Sequence, residues 1–201
     1  MQNDAIQLAY FRTYLLKNYS NLKNWKPMTN RISEIPRKLK APLKLNSAPI
    51  SWKYAIWSFL SGTISILTIL WITQLTGYPL LIGSFGATAV LLFGAPDSPL
   101  TQPRNLIGGH LISALVAILL VQFFGNGFFI IGISVGLSIF LMYITRTLHP
   151  PGGATALIGV MGNCTPMFLL IPVLFGVIVL FLIALFTNNF VHHRQYPKHW
   201  F

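Results

Sequence analysis

The chain is poor in charge and poorer still in acid. Only 8% of its 201 residues are charged, and three are Asp or Glu: Asp4, Glu34 and Asp97. Soluble domains carry about 25% charged residues, so a water-facing globular surface is excluded for most of the sequence. Three scattered acids also leave nothing for paired-carboxylate catalysis. The single cysteine, Cys164, excludes an intramolecular disulfide framework. It has no Cys or His partner at metal-ligand spacing and reads as a small packing residue. Phosphate-binding Gly-x-x-x-x-Gly-Lys and His-Glu-x-x-His motifs are both missing. No enzymatic activity, cofactor or metal is expected. The first residues include Asp4 and no apolar core, so no cleavable signal peptide is expected.

What remains is apolar. Hydrophobic residues make up 54% of the chain, and from Tyr54 to Phe190 the only charged residues are Asp97, Arg104 and Arg146. These features specify an integral membrane protein of the all-α class, a polytopic helix bundle. The net charge of +11 sits mainly at the front, where ten of the 14 Lys and Arg run from Arg12 to Lys53. Basic residues stay on the cytoplasmic side, which places the N-terminus inside and suggests the cell's inner (plasma) membrane. Nucleic-acid binding is the other reading of so basic a chain. No nucleic-acid module appears, and topology and lipid attraction account for the charge.

Three regions follow. Residues 1–50 form a basic arm, either an amphipathic helix on the membrane around Leu8, Phe11 and Leu15 or a loosely ordered segment broken by Pro27, Pro36, Pro42 and Pro49. Residues 51–190 form the membrane domain, and residues 191–201 a cytoplasmic tail. The membrane domain contains six apolar blocks: Tyr54–Leu75, Pro79–Ala95, Asn105–Phe124, Phe128–Thr145, Leu148–Gly162 and Pro166–Thr187. Spanning takes about 20 apolar residues. Blocks one, three, four and six are long enough; two and five are short and carry Gly or Pro, as broken or re-entrant spans do. Six crossings put both termini, Arg104 and Arg146 inside, which the positive-inside bias favours over four. Between blocks two and three, Thr101 and Pro103 are placed to start a helix, and Asp97 either pairs with Arg104 or is solvated. The two halves resemble one another. Gly86-Ala87-Thr88-Ala89 returns 67 residues on as Gly153-Ala154-Thr155-Ala156, and Ser98-Pro99 as Thr165-Pro166. With an odd number of spans per half, such repeats are inverted.

The densest chemistry lies in His149-Pro150-Pro151-Gly152-Gly153-Ala154-Thr155-Ala156. Prolines remove backbone donors and glycines loosen the helix, so Pro150, Pro151 and Gly152 predict a break in hydrogen bonding within the membrane. Free amides at a restarting helix favour an anion. Gly86, Ala87, Thr88, Gly153, Ala154 and Thr155 are the candidate lining. Their bland alternative is close packing by small residues, as in Gly132-x-x-x-Gly136, which permits helix pairing within one chain or between copies. His149 is a candidate donor or proton relay, or a neutral cap on freed carbonyls. Arg146, three residues earlier, shares its face if the helix continues. Arg104 and Arg146 are candidates for anion capture, or else snorkel to headgroups. His110 is either a functional intramembrane group or a buried, hydrogen-bonded imidazole. His192, His193 and His199 mark the tail interface.

Thr147-Leu148-His149-Pro150-Pro151-Gly152-Gly153-Ala154-Thr155-Ala156 resembles the signature of the HPP family of integral membrane proteins. Ser84-Phe85-Gly86-Ala87-Thr88-Ala89-Val90-Leu91 and Pro99-x-x-Gln102-Pro103-Arg104-Asn105 are similar to that family's other signature segments. The resemblance covers roughly Trp52 to Phe190 and leaves the arm aside. It implies four transmembrane helices by the usual description. It also implies a small monovalent anion as substrate, because members in plastids and cyanobacteria are associated with nitrite transport. The expected function is a transporter or channel for such an anion. The alternative is a non-transporting sensor or scaffold whose arm binds a partner or anionic lipid.

Overall fold

The computed structural model of the chain describes residues 51–191 and 194–200. Expectations placed on residues 1–50, and on His192 and His193, lie outside the described residues. Among those described, the chain is all-helical, with six helices and no strand. Helix α1 is Trp52–Thr76. Helix α2 is short, Gly83–Ala89, and continues into a wider π turn, Val90–Gly94. A 3-10 turn, Pro99–Thr101, leads to α3, Pro103–Phe124. Helix α4 is Phe128–Ile144 and α5 is Pro150–Met161. The last apolar segment, Leu169–Phe190, comprises a π turn, Leu169–Leu174, and α6, Phe175–Phe190, with an extended residue at Ile171 just before Pro172. Three of these segments, Trp52–Thr76, Pro103–Phe124 and Leu169–Phe190, are long and apolar enough to cross a membrane. Helix α4, at 17 residues, reaches about 26 Å at 1.5 Å per residue, close to the thickness of the hydrocarbon.

The helix ends follow the local sequence. Pro103 occupies the first turn of α3, where its missing N–H costs nothing. Thr101 does not cap that helix; its hydroxyl turns back to the carbonyls of Pro96 (3.1 Å) and Ser98 (2.6 Å). Gln102 donates to the same two carbonyls, so the Ala95–Gln102 loop is folded on itself.

Packing is uneven. Helices α3, α4 and α5 make the tightest group, while α1 exposes most of its apolar side chains, as a lipid-facing helix does. Between membrane helices association comes from close van der Waals packing rather than water exclusion. Gly109 of α3 shows this directly. A Cβ there would lie 2.5 Å from His149 Cβ and 2.9 Å from the Thr147 carbonyl, and a Cβ on Gly152 would lie 2.8 Å from the Gly109 carbonyl. These two glycines let the chain just before α5 lie directly on α3. Gly132 and Gly136, by contrast, lie on the exposed side of α4 with open space around them.

The tail folds back onto the loop. Tyr196 is 1% exposed and donates its hydroxyl to the Thr101 carbonyl at 2.8 Å. Burial pushes its phenol well above the usual range, so the donor keeps its hydrogen. The backbone N–H of Lys198 donates to Gln102 Oε1 at 2.8 Å, and Lys198 Nζ sits 3.1 Å from Asp97.

Candidate functional site

Two short helices and one long one bring five polar side chains together in the apolar bundle. They are Ser84 and Thr88 of α2, His110 of α3, His149 just before α5, and Thr155 within α5. All five are 0% exposed.

Their hydrogen bonds form one chain. Thr88 Oγ1 lies 2.8 Å from His110 Nε2 and 3.2 Å from His149 Nε2, so a single hydroxyl stands between two imidazoles. Thr155 Oγ1 lies 2.7 Å from the other ring nitrogen of His110, Nδ1, and 2.9 Å from Ser84 Oγ. His149 Nδ1 is 2.8 Å from the Leu100 carbonyl. A carbonyl only accepts, so Nδ1 of His149 carries hydrogen and donates. Thr88 Oγ1 is also 3.0 Å from the carbonyl of Ser84, one turn back on its own helix. The two rings are 4.9 Å apart, and Phe85 meets His110 edge-on at 5.6 Å. Two full charges at 4.9 Å repel by about 3 kcal/mol at an effective dielectric constant of about 20. The geometry therefore admits one charged ring far more readily than two.

No carboxylate belongs to this cluster. Asp97, the one acid among the described residues, is paired with Lys198 in the loop and tail. Groups of three or more His, Cys, Asp or Glu able to hold a metal are absent among the described residues. A positive charge on the imidazoles therefore lacks a counter-ion among the described residues.

The sequence candidates are distributed around this cluster. Thr88, Thr155 and His149 lie in it. Gly153 and Ala154 are half-buried on α5 beside it, and Gly152 seats α5 against α3. Gly86 and Ala87 are exposed on the other side of α2, where Gly86 lines a cleft of about 560 Å³ with Ser58, Gly62, Ile66, Ala89 and Phe93. The Pro-Pro pair does not interrupt a helix. Pro150 and Pro151 are the first two residues of α5, with His149 extended before them (φ −139°, ψ 105°). Pro150 and Pro151 have no N–H, and Gly152 N–H already donates to the His149 carbonyl at 2.8 Å. The first turn of α5 thus offers few free amides, and the polar character of the site comes from side chains.

The arginines are placed otherwise than expected. Helix α4 ends at Ile144, Arg146 takes a left-handed backbone (φ 57°), and its side chain is exposed while His149 is buried. The two do not share a face, because the chain turns between them. Arg104 donates to the Thr145 carbonyl at 2.8 Å, capping the end of α4, and does not pair with Asp97. Asn105 beside it holds the Leu148 carbonyl at 2.8 Å, fixing the segment that carries His149. Ser84 and the Leu100 carbonyl were not among the sequence candidates. Ser84 begins the Ser-Phe-Gly-Ala-Thr-Ala segment and was visible in principle; a backbone carbonyl was not.

Comparison with known proteins decides the family. The profile described as "HPP, transmembrane region" matches residues 47–197. The chain belongs to the HPP transmembrane family. This HPP protein is 49% identical over 128 residues to a transmembrane protein of Dictyostelium discoideum, covering 60% of the chain and 45% of that relative. It is 38% identical over 169 residues to a second transmembrane protein of the same organism, covering 80% of the chain and 54% of the relative. The chain spans about half the length of the curated relatives it matches. No solved structure matches it. Family, relatives and apolar helices together make it an integral membrane protein.

Proposed function

We propose that this HPP protein carries a small monovalent anion, with nitrite as the first to test, across the membrane. The observation that carries the reading is the His110–Thr88–His149 cluster. Buried ionisable groups in a membrane domain are costly and are kept where a solute or proton passes. Here the only charge the groups can take is positive, and no acid among the described residues accompanies them, so an anion suits the site.

The repeat read from the sequence, if it extends to the fold, supports a carrier. Helix α2 starts at Gly83 and α5 at Pro150, which is the 67-residue offset of the Gly-Ala-Thr-Ala segments. Thr88 and Thr155, related by that offset, bind opposite nitrogens of His110. Repeats of inverted topology place substrate where the two halves meet. The full burial of the five side chains favours alternating access over an open channel. The arm and the tail are then cytoplasmic and the membrane is the cell's inner one. Gly86 and Ala87 line the approach from the α1 side, Gly153 and Ala154 the approach along α5, and Arg104 and Arg146 draw anions to the cytoplasmic mouth.

Reconstituted vesicles test this. Uptake of nitrite, nitrate and formate is measured above protein-free vesicles, for the wild type and His149→Ala. Uptake of at least one anion is expected, reduced tenfold or more in the variant. No uptake of any of the three contradicts the reading, and unchanged uptake by a folded variant removes His149 from it.

A further inference from the structure

We propose that the His110–Thr88–His149 cluster is a single-proton site that loads one proton with each anion, so that the anion crosses without net charge. This deepens the anion reading and rests on it.

The cluster's hydrogens have few places to go. His149 Nδ1 is committed as a donor to the Leu100 carbonyl. In the neutral cluster His149 Nε2 is therefore bare and must accept. Thr88 has one hydrogen and can give it to His149 Nε2, while His110 Nε2–H donates to Thr88 Oγ1. His110 Nδ1 is then bare and accepts the one Thr155 hydrogen, which is turned to it from Ser84 Oγ and the Pro151 carbonyl. Both imidazoles and Thr88 are satisfied.

Now a proton is added. It forms an N–H bond at His149 Nε2, which becomes a donor to Thr88 Oγ1. The Thr88 hydrogen is displaced and rotates to the Ser84 carbonyl, 3.0 Å away. Nothing else moves and no hydrogen bond is lost. The cluster thus has two complete bonding patterns that differ by one proton and one hydroxyl rotation. A second proton, on His110 Nδ1, would set two like charges 4.9 Å apart.

The described surroundings supply no compensating charge. Helix α2 presents Ser84, Phe85 and Thr88 to the rings, α3 presents His110 itself, α4 approaches with Met142, and the Pro99–Thr101 turn gives the Leu100 carbonyl. Among the described residues the charged side chains are engaged or turned away: Arg104 on the Thr145 carbonyl, Asp97 on Lys198, Arg194 on the Phe93 carbonyl and Asn188, and Arg146 and Lys53 exposed. The imidazolium formed on loading is therefore neutralised by the incoming anion, and each stabilises the other. On release the proton leaves His149 Nε2 and the Thr88 hydrogen swings back.

The test uses vesicles holding the full chain and an internal pH dye, with nitrite as the probe and protein-free vesicles subtracted. Nitrite uptake is expected to acidify the lumen by one proton per anion. It is expected to be indifferent to an imposed potassium–valinomycin potential and to slow tenfold or more as external pH rises from 5.5 to 7.5. Thr88→Ser keeps the hydroxyl and the coupling, whereas Thr88→Val, of the same shape, loses at least tenfold in coupled uptake. Nitrite uptake that follows the imposed potential without acidification overturns this proposal and leaves anion carriage standing. Absence of nitrite uptake above protein-free vesicles, with nitrate or formate carried at one proton each, supports it with a different anion. Absence of any anion uptake overturns both. A folded Thr88→Val that keeps one-to-one coupling removes the hydroxyl from the mechanism.

Discussion

Gly109→Ala puts one methyl group into the tightest contact of the site. The new Cβ would stand 2.5 Å from His149 Cβ and 2.9 Å from the Thr147 carbonyl oxygen. Carbon–carbon contacts are comfortable at about 3.5–4.0 Å, so the Thr147–His149 segment must retreat from α3 by roughly 1 Å. That segment is backbone and a Cβ, not the end of a flexible side chain. Overpacking of this kind costs about 1–3 kcal/mol. The same retreat lengthens the 2.8 Å bond from His149 to Leu100 and the 3.2 Å approach to Thr88 beyond hydrogen-bonding distance. Gly132→Ala is the control, because its Cβ meets nothing within 4 Å and its helix gains about 0.5–1 kcal/mol from the better helix former. Thermal unfolding in detergent, followed by labelling of the single thiol Cys164, gives stability, and vesicle uptake gives function. Gly109→Ala is expected to unfold earlier than wild type and to lose uptake, while Gly132→Ala does neither. A Gly109→Ala protein that matches Gly132→Ala in both assays would refute the claim that close approach to α3 positions His149.

Tyr196→Phe removes the hydroxyl that binds the Thr101 carbonyl and leaves that buried acceptor short of one partner. It should cost about 1–2 kcal/mol in the same unfolding assay. Asp97→Asn breaks an ion pair whose members are 72% and 40% exposed, so its effect should stay below about 1 kcal/mol and vanish at 0.5 M salt, with uptake unchanged. Arg104→Gln removes a partly exposed cap on α4. It should lower stability by no more than about 1 kcal/mol, and any loss of uptake should shrink as salt is raised.

Composition made the membrane class legible, and block lengths made the alternation of long and short helices legible. Asn105–Phe124 was read almost to its ends, and Pro103 was correctly placed in the first turn. The Pro-Pro-Gly-Gly run was harder. Its residues were expected to break a helix, yet the same properties let them begin one: a proline at either of the first two positions gives up an N–H that would otherwise be unpaired. Spacing placed Arg146 with His149 on the assumption of a continuing helix, and the left-handed turn at Arg146 removed it. The Asp97 partner was illegible for a different reason. Lys198 reaches it only because the tail folds back across the loop. The link between Thr88 and Thr155 was half visible, as a repeat, but only the fold shows that His110 stands between them.

The central claim is that an anion reaches the paired imidazoles, and histidine nitrogen resonances test it most directly. Protein labelled with 15N-histidine is titrated with nitrite, with His110→Gln and His149→Gln variants assigning the signals. The His110 and His149 nitrogens are expected to shift together and saturably, while exposed His199 stays fixed. Unmoved His110 and His149 signals, under conditions where the same protein carries nitrite in vesicles, would contradict the account.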